Sequence, residues 1–225
     1  MDDAVSKVVN AANAKLRALL RAKRFMCLAD VVLQYKSQVL PLIEFYTAAI
    51  FHASNTILAP LDKIQNRFIA EVGLSEQDAF VKFNVCPLRC RRDVAMLGLI
   101  HKIVLGLAHP TFSILFPFAD LPAHVINTRL RARRHNKQIL DRCDGSHSAI
   151  MHRSLFGLVN VYNLLPQAAV DCTDVSSFQR FLNLSNCAQH VCHISQVGQV
   201  CFHQFVERMF HSFTHVYIFC SIAKH

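Results

Sequence analysis

Residues 35–54 read YKSQVLPLIEFYTAAIFHAS, apolar side chains at helical spacing with Pro41 and Glu44 set among them. A proline inside a helix removes a backbone hydrogen bond and crowds the carbonyl four residues back, and a carboxylate in apolar surroundings is costly unless paired or solvated. The spacing therefore predicts a helix from about Met26, with Leu28, Val31, Val32, Tyr35 and Val39 on one face, kinked or broken at Pro41 and resumed over 42–52. Glu44 is then a catalytic carboxylate, a paired structural anchor or a member of a solvated face.

The flanks read as helices too. Val5, Val8, Val9, Ala12, Leu16, Leu19 and Leu20 recur at spacings of three and four, with Asp2 or Asp3 available as N-cap. Arg17, Arg21, Lys23 and Arg24 close that helix, where cations suit the negative end of its dipole. Downstream, Pro60 fits a first helical turn ahead of Leu61, Ile64, Phe68 and Ile69, and Gly73 fits a C-terminal cap. The run SEQD at 75–78 has the form of a capping box, and a further helix spans about 88–105, ended by Gly106 and Pro110.

Between 121 and 138 the text becomes LPAHVINTRLRARRHNKQ, a basic loop or linker and the clearest boundary. SLFGLVNVYNLLP at 154–166 and DVSSFQRFLNL at 174–184 read as two more helices or a mixed pair, the second capped by Asp174. Strand alternation is nowhere sustained, and neither an internal repeat nor a Gly-rich phosphate loop occurs. The expected fold is mainly α: a multi-helix segment over 1–120, a basic connection with following helices over 121–184, and an irregular tail over 185–225.

Composition narrows the function. With 52% hydrophobic residues and mean hydropathy +0.26 the chain has a core to bury, yet it lacks an uncharged apolar run of about 18 residues, which argues against a membrane span. The start MDDAVSK is acidic where a signal peptide is basic, so a cytoplasmic or nuclear location is expected. Nine cysteines, an odd number in a long chain with six glycines, read as buried thiols more than as a disulfide framework. A net charge of +9 and a pI near 9.3 favour RNA or DNA as partner. Arg89, Arg91 and Arg92 in RCRRD, with Arg129, Arg131, Arg133 and Arg134 in RLRARRH, are the candidates for phosphate contact. A solvated basic face is the competing reading of the same arginines.

Residues 186–225 hold four cysteines, six histidines and five phenylalanines, against Glu207, Arg208 and Lys224 as fixed charges. Cys187 with Cys192, and His211 with His215, are acceptable zinc-ligand pairs, but the 18 residues between the pairs exceed the roughly 12 of a standard finger. No cysteine stands in a recognisable nucleophile motif.

Taken in order, YKSQVLPLIEF, ILAPLDKIQNRFIAEVGLS, CPLRCRRDVAMLGLIHKIVLG, RARRHNKQ, SLFGLVNVYNLLPQ and SSFQRFL resemble the segment that follows the catalytic palm in reverse transcriptases of non-LTR (LINE-type) retrotransposons. The resemblance covers the first 184 residues. It implies a helical thumb and the connection after it, which grip template and product duplex, with Tyr35, Leu40, Pro41, Glu44, Gln65, Arg67, Arg91 and Arg92 at recurrent positions. It implies no catalytic residue among these, and a structural Glu44 paired with Arg67 or Arg92.

Reverse transcription needs carboxylates that hold two metal ions, two of them adjacent on a β-hairpin. The adjacent aspartates here, Asp2 and Asp3, open a helix. The expectation is a noncatalytic, truncated remnant with no cofactor, no small-molecule substrate and at most weak nucleic-acid binding. A helical module adopted for binding a protein partner is the alternative. The text departs from the family at about Ser185, as a frameshift, a retained intron or read-through into neighbouring DNA would produce.

Overall fold

A computed structural model describes residues 2–119, 135–143 and 148–190, the side chains of Asp2 and of 184–190 excepted. Within them the chain is mostly helical, and the pairing of Phe118 with Ile139 in one antiparallel bridge is the extent of β structure. The residues fall into two compact units, 1–95 and 96–225, and the chain passes from one to the other within a helix; residues 121–134 of the basic stretch expected as a boundary lie outside the described residues.

In the first unit, α1 (Asp2–Ala22) buries Val5, Val8, Ala12 and Leu16, the stripe its spacing predicts. Asp2 and Asp3 lie inside its first turn and are not caps before it, a position that still favours carboxylates electrostatically. Helix α5 (Asn55–Glu71) runs parallel to α1: Val5 and Val9 line a groove of about 450 Å³ with Ile57 and Pro60, and Lys23 meets Glu71 at the other end. Parallel helices put two negative dipole ends together. The Lys23 ammonium answers both, donating to the Glu71 carbonyl and lying 3.6 Å from its carboxylate.

Of the kink or break expected at Pro41, a break does not occur. Helix α2 (Leu28–Gln34) widens into a π-helical turn at Tyr35–Val39, where Leu40 N–H donates to the Tyr35 carbonyl five residues back, and continues as α3 (Leu40–Glu44). The wide turn takes the carbonyls ahead of Pro41 out of the register in which its ring would collide with one of them. The break comes later, at Phe45 and Tyr46, before the short α4 (Thr47–Ile50). Pro60 also departs from expectation, because α5 begins at Asn55 and encloses it. Thr56, whose carbonyl loses its donor to Pro60, is exposed, so water can serve that group.

Other local expectations hold. Gly73, at φ +72°, ends α5, with Leu74 N–H reaching the Ile69 carbonyl as in a Schellman turn. Ser75 accepts from Asp78 N–H at 2.9 Å to start α6 (Glu76–Phe83), while its hydroxyl donates to the Asp78 carboxylate at 2.8 Å. Helix α7 (Leu88–Val104) matches its predicted range and ends toward Gly106.

The second unit is built from the rest of α7, α8 (Thr111–Leu115), α9 (Ala149–Arg153), α10 (Gly157–Asn163), α11 (Gln167–Val170) and α12 (Val175–His190). Helix α12 starts from Asp174, which accepts from Ser177 N–H at 2.8 Å, and runs past Ser185, where the resemblance ends. A Cβ on Gly157 would stand 2.0 Å from the His152 carbonyl, so only glycine permits that junction. Residues 135–138, read as the end of a linker, are fixed: the His135 ring donates to the Tyr162 carbonyl at 3.0 Å, Asn136 exchanges two bonds with Gln167, Lys137 reaches the Val170 carbonyl and Gln138 the Asn163 carbonyl. Asn163 in turn accepts from Ile139 N–H and donates to its carbonyl, standing in for a neighbouring strand.

Tyr35 and Phe68 lie at the centre of the first unit, fully buried, their rings parallel with centroids 3.9 Å apart. Phe68→Ala should lower stability by about 3–5 kcal/mol, read from urea denaturation followed by helical circular dichroism. A loss below about 1 kcal/mol would mean the stack is not a core contact.

Candidate nucleic-acid interface

Arg89, Arg91 and Arg92 occupy the first turns of α7, where the helix dipole disfavours cations. Two of the three are neutralised. Arg92, buried to 8% side-chain exposure, grips Asp62 of α5 through both terminal nitrogens, at 2.9 and 3.3 Å. The Arg91 Nε donates to Glu44 Oε1, joining α7 to α3. Glu44 is thus a paired anchor, as expected, but its partner is Arg91 and neither Arg67 nor Arg92, because Arg67 lies on the solvent face of α5 and Arg92 is held by Asp62. Arg89 is exposed.

A hydrogen-bonded centre lies beneath these pairs. The Gln65 amide donates to the Cys86 carbonyl at 3.0 Å and accepts from the Tyr35 hydroxyl at 3.4 Å, tying the π-helical turn, α5 and the approach to α7 together. Burial pushes the Tyr35 hydroxyl well above its ordinary pKa, so it stays a neutral donor. The Cys90 thiol is drawn down, chiefly by its hydrogen bond with Cys86. Burial lifts Asp93 to about 6, against the pull of Arg89 and Arg92. With both anchoring carboxylates engaged by guanidiniums, the cluster holds α3, α5 and α7 together.

In the second unit His101 is fully buried and stacked on Phe178 at 4.2 Å. Its Nε2 faces the Cys172 carbonyl at 2.9 Å and so carries the proton, leaving Nδ1 to accept from the Tyr162 hydroxyl at 2.9 Å. Burial keeps the ring neutral. Sequence reasoning missed this histidine, since nothing in its spacing separates it from the apolar positions of α7.

Arg129, Arg131, Arg133 and Arg134 lie outside the described residues, as do Cys192, His211, His215 and the side chain of Cys187. Among the described residues no group of three or more His, Cys, Asp or Glu could hold a metal ion, and no helix is long and apolar enough to cross a membrane. Ion pairs among them engage Lys23, Lys82, Arg91 and Arg92, while Lys7, Arg17, Arg21, Lys63, Arg67 and Arg89 are exposed and stand in none of these pairs. The chain matches no protein-family profile, no curated protein and no solved structure.

Arg92→Ala should cost about 1–3 kcal/mol, less than a fully buried pair because Asp62 is 39% exposed and can rehydrate, whereas Arg89→Ala should stay within about 0.5 kcal/mol in the same denaturation assay. Equal effects would remove the distinction between anchor and free arginine. Asp93 gives a pH signature. Its folded-state pKa of about 6 lies above the unfolded value, so between about pH 4 and 6 the folded state binds more protons and this group's contribution falls as pH rises. Asp93→Asn should therefore gain stability relative to the native chain across that window and hold the gain above it; a pH-independent difference would contradict the burial.

Proposed function

We propose that this chain is a noncatalytic helical segment of the kind that follows the palm in non-LTR retrotransposon reverse transcriptases, retaining weak, sequence-indifferent affinity for nucleic acid. The observation that carries the proposal is the division of charge in the first unit. Glu44, Asp62, Glu71 and Asp78 are each matched to a cation and Asp93 feels Arg89, while exposed Lys7, Arg17, Arg21, Lys63 and Arg67, in no ion pair, outnumber the exposed and equally unpaired Asp3, Asp30 and Glu76. Surplus cations of this kind bind phosphate by releasing counterions and read no bases. Of the eight positions the resemblance singles out, Tyr35, Leu40, Glu44, Gln65, Arg91 and Arg92 are buried or paired and join the helices, which supports the reading, while Pro41 and Arg67 are exposed.

A second reading rests on a different surface. Leu42, Phe45 and Tyr46 follow one another around the end of α3 at 36, 79 and 48% exposure, with the two rings in edge-to-face contact. An apolar patch of this kind suits a protein partner.

The two readings part on salt. Affinity for a short RNA or DNA oligonucleotide, followed by fluorescence anisotropy, should fall steeply between about 50 and 200 mM salt, and replacing Arg129, Arg131, Arg133 and Arg134 with serine should flatten the slope of log affinity against log salt by several units at about 0.7–0.9 per contact. A wild-type chain that ignores oligonucleotides, yet holds a defined protein partner at high salt in a manner lost with Phe45→Ser, would favour the interaction module.

A further inference from the structure

Between Asp3 and Asp30 the sequence carries six cations, Lys7, Lys15, Arg17, Arg21, Lys23 and Arg24, and no acid. Their grouping toward the end of α1 is accounted for by the helix dipole, but the structure adds a pattern. Lys7, Asn10, Ala14, Arg17 and Arg21 follow one another at spacings of three, four, three and four, all exposed, on the face opposite buried Val5, Val8, Ala12 and Leu16. Fourteen helical steps set the two ends of this row about 21 Å apart. Asp3, one turn ahead of Lys7, is the acid nearest the row along the chain. No hydrogen bond or ion pair among the described residues engages the side chains of Lys7, Asn10, Arg17 or Arg21.

We infer that this row on α1 is a docking face for the phosphate backbone of a nucleic-acid duplex, an inference that rests on the proposed nucleic-acid affinity and assigns it to a place. The charge is complementary, and no acid interrupts it from Lys7 to Arg21. The Asn10 carboxamide adds a neutral donor for a phosphate oxygen. Ala14, at the middle of the row, is short enough to let a phosphate backbone lie close along the helix between Lys7 and the two arginines. A rigid helix holds these groups in a line that a duplex, itself rigid, can meet without losing chain entropy. Single strands are the poorer fit: no aromatic residue precedes Phe25, so the row offers bases nothing to stack on. A lipid surface is the poorer fit as well, because the apolar side of α1 is turned into the core and has nothing to insert.

The test uses the full chain, a duplex of about 16 base pairs and the matching single strand, with affinities measured by anisotropy at several salt concentrations. The native chain should prefer the duplex. Replacing Lys7, Arg17 and Arg21 together with serine should weaken duplex binding more than about tenfold and flatten the salt slope by about two to three units, at about 0.9 for each phosphate contact. Asn10→Ala should weaken it about two- to tenfold and leave the slope unchanged, because an amide releases no counterion. Ala14→Glu keeps a good helix former but sets a carboxylate against the phosphates, and should weaken binding more than about fivefold. Helical circular dichroism of every variant should match the native chain, as all five positions face solvent. Removing the same charge from Lys63, Arg67 and Arg89 is the control. An equal loss from both triple variants would make binding a matter of net charge and overturn the row. Binding that survives the α1 changes, or a single strand bound as tightly as the duplex, overturns the row and spares the broader proposal. No binding by the native chain at low salt overturns both.

Discussion

The first unit depends on the meeting of Tyr35 with Phe68 and Gln65. One ring is carried by a π-helical turn and the other by α5, and their faces lie in contact. The aromatic pair supplies buried area, while the Gln65 amide fixes the angle at which the chain before α7 arrives. Because Gln65 is itself buried, its two partners are obligatory: loss of the Cys86 carbonyl contact would leave a polar group with no water to turn to. Hydrophobic area alone would allow these helices several arrangements, and the amide selects among them.

The arginines of α7 complete that arrangement in an unexpected way. Cations in the first turns of a helix oppose its dipole, so an arginine there costs free energy unless a carboxylate from elsewhere reaches it. Arg91 and Arg92 draw theirs from α3 and α5, which makes the unfavourable placement conditional on both helices being present. The same two guanidiniums that look like phosphate ligands in sequence are therefore committed internally. Apart from Arg89, the surplus charge that faces solvent in the first unit lies on other elements, above all α1.

Much of this was legible from residue order. The apolar stripe of α1, the Gly73 cap, the Ser75 box, the span of α7 and the Asp174 cap are set by interactions within a few residues, and spacing exposes them. Pro60 was misplaced because solvent relaxes its local rule, serving the exposed carbonyl that it strands, and the π-helical turn ahead of Pro41 was not legible because no residue of 35–39 announces it. The partner of Glu44 was misassigned for another reason. Pairing depends on which face of α7 turns inward, and the small difference between Arg91 and Arg92 is decided by Asp62, thirty residues before it in the chain. Segment 135–138 looked like linker because its side chains anchor it to the Tyr162, Asn163 and Val170 carbonyls and to the Gln167 amide, contacts that leave no periodicity to read.

The π-helical turn has a consequence for chain length. It holds one residue more than an α-helical turn of the same rise, and it lies directly before a proline. Deleting one residue of 35–39 would leave an α-helical turn of nearly the same rise, so Leu40, Ile43 and Glu44 would stay close to where they are. It would also return a carbonyl to the place four residues before the proline where the ring collides. The extra residue is thus what lets Pro41 stand inside this helix, and a one-codon deletion in the turn should be borne far better in a chain that has also lost that proline.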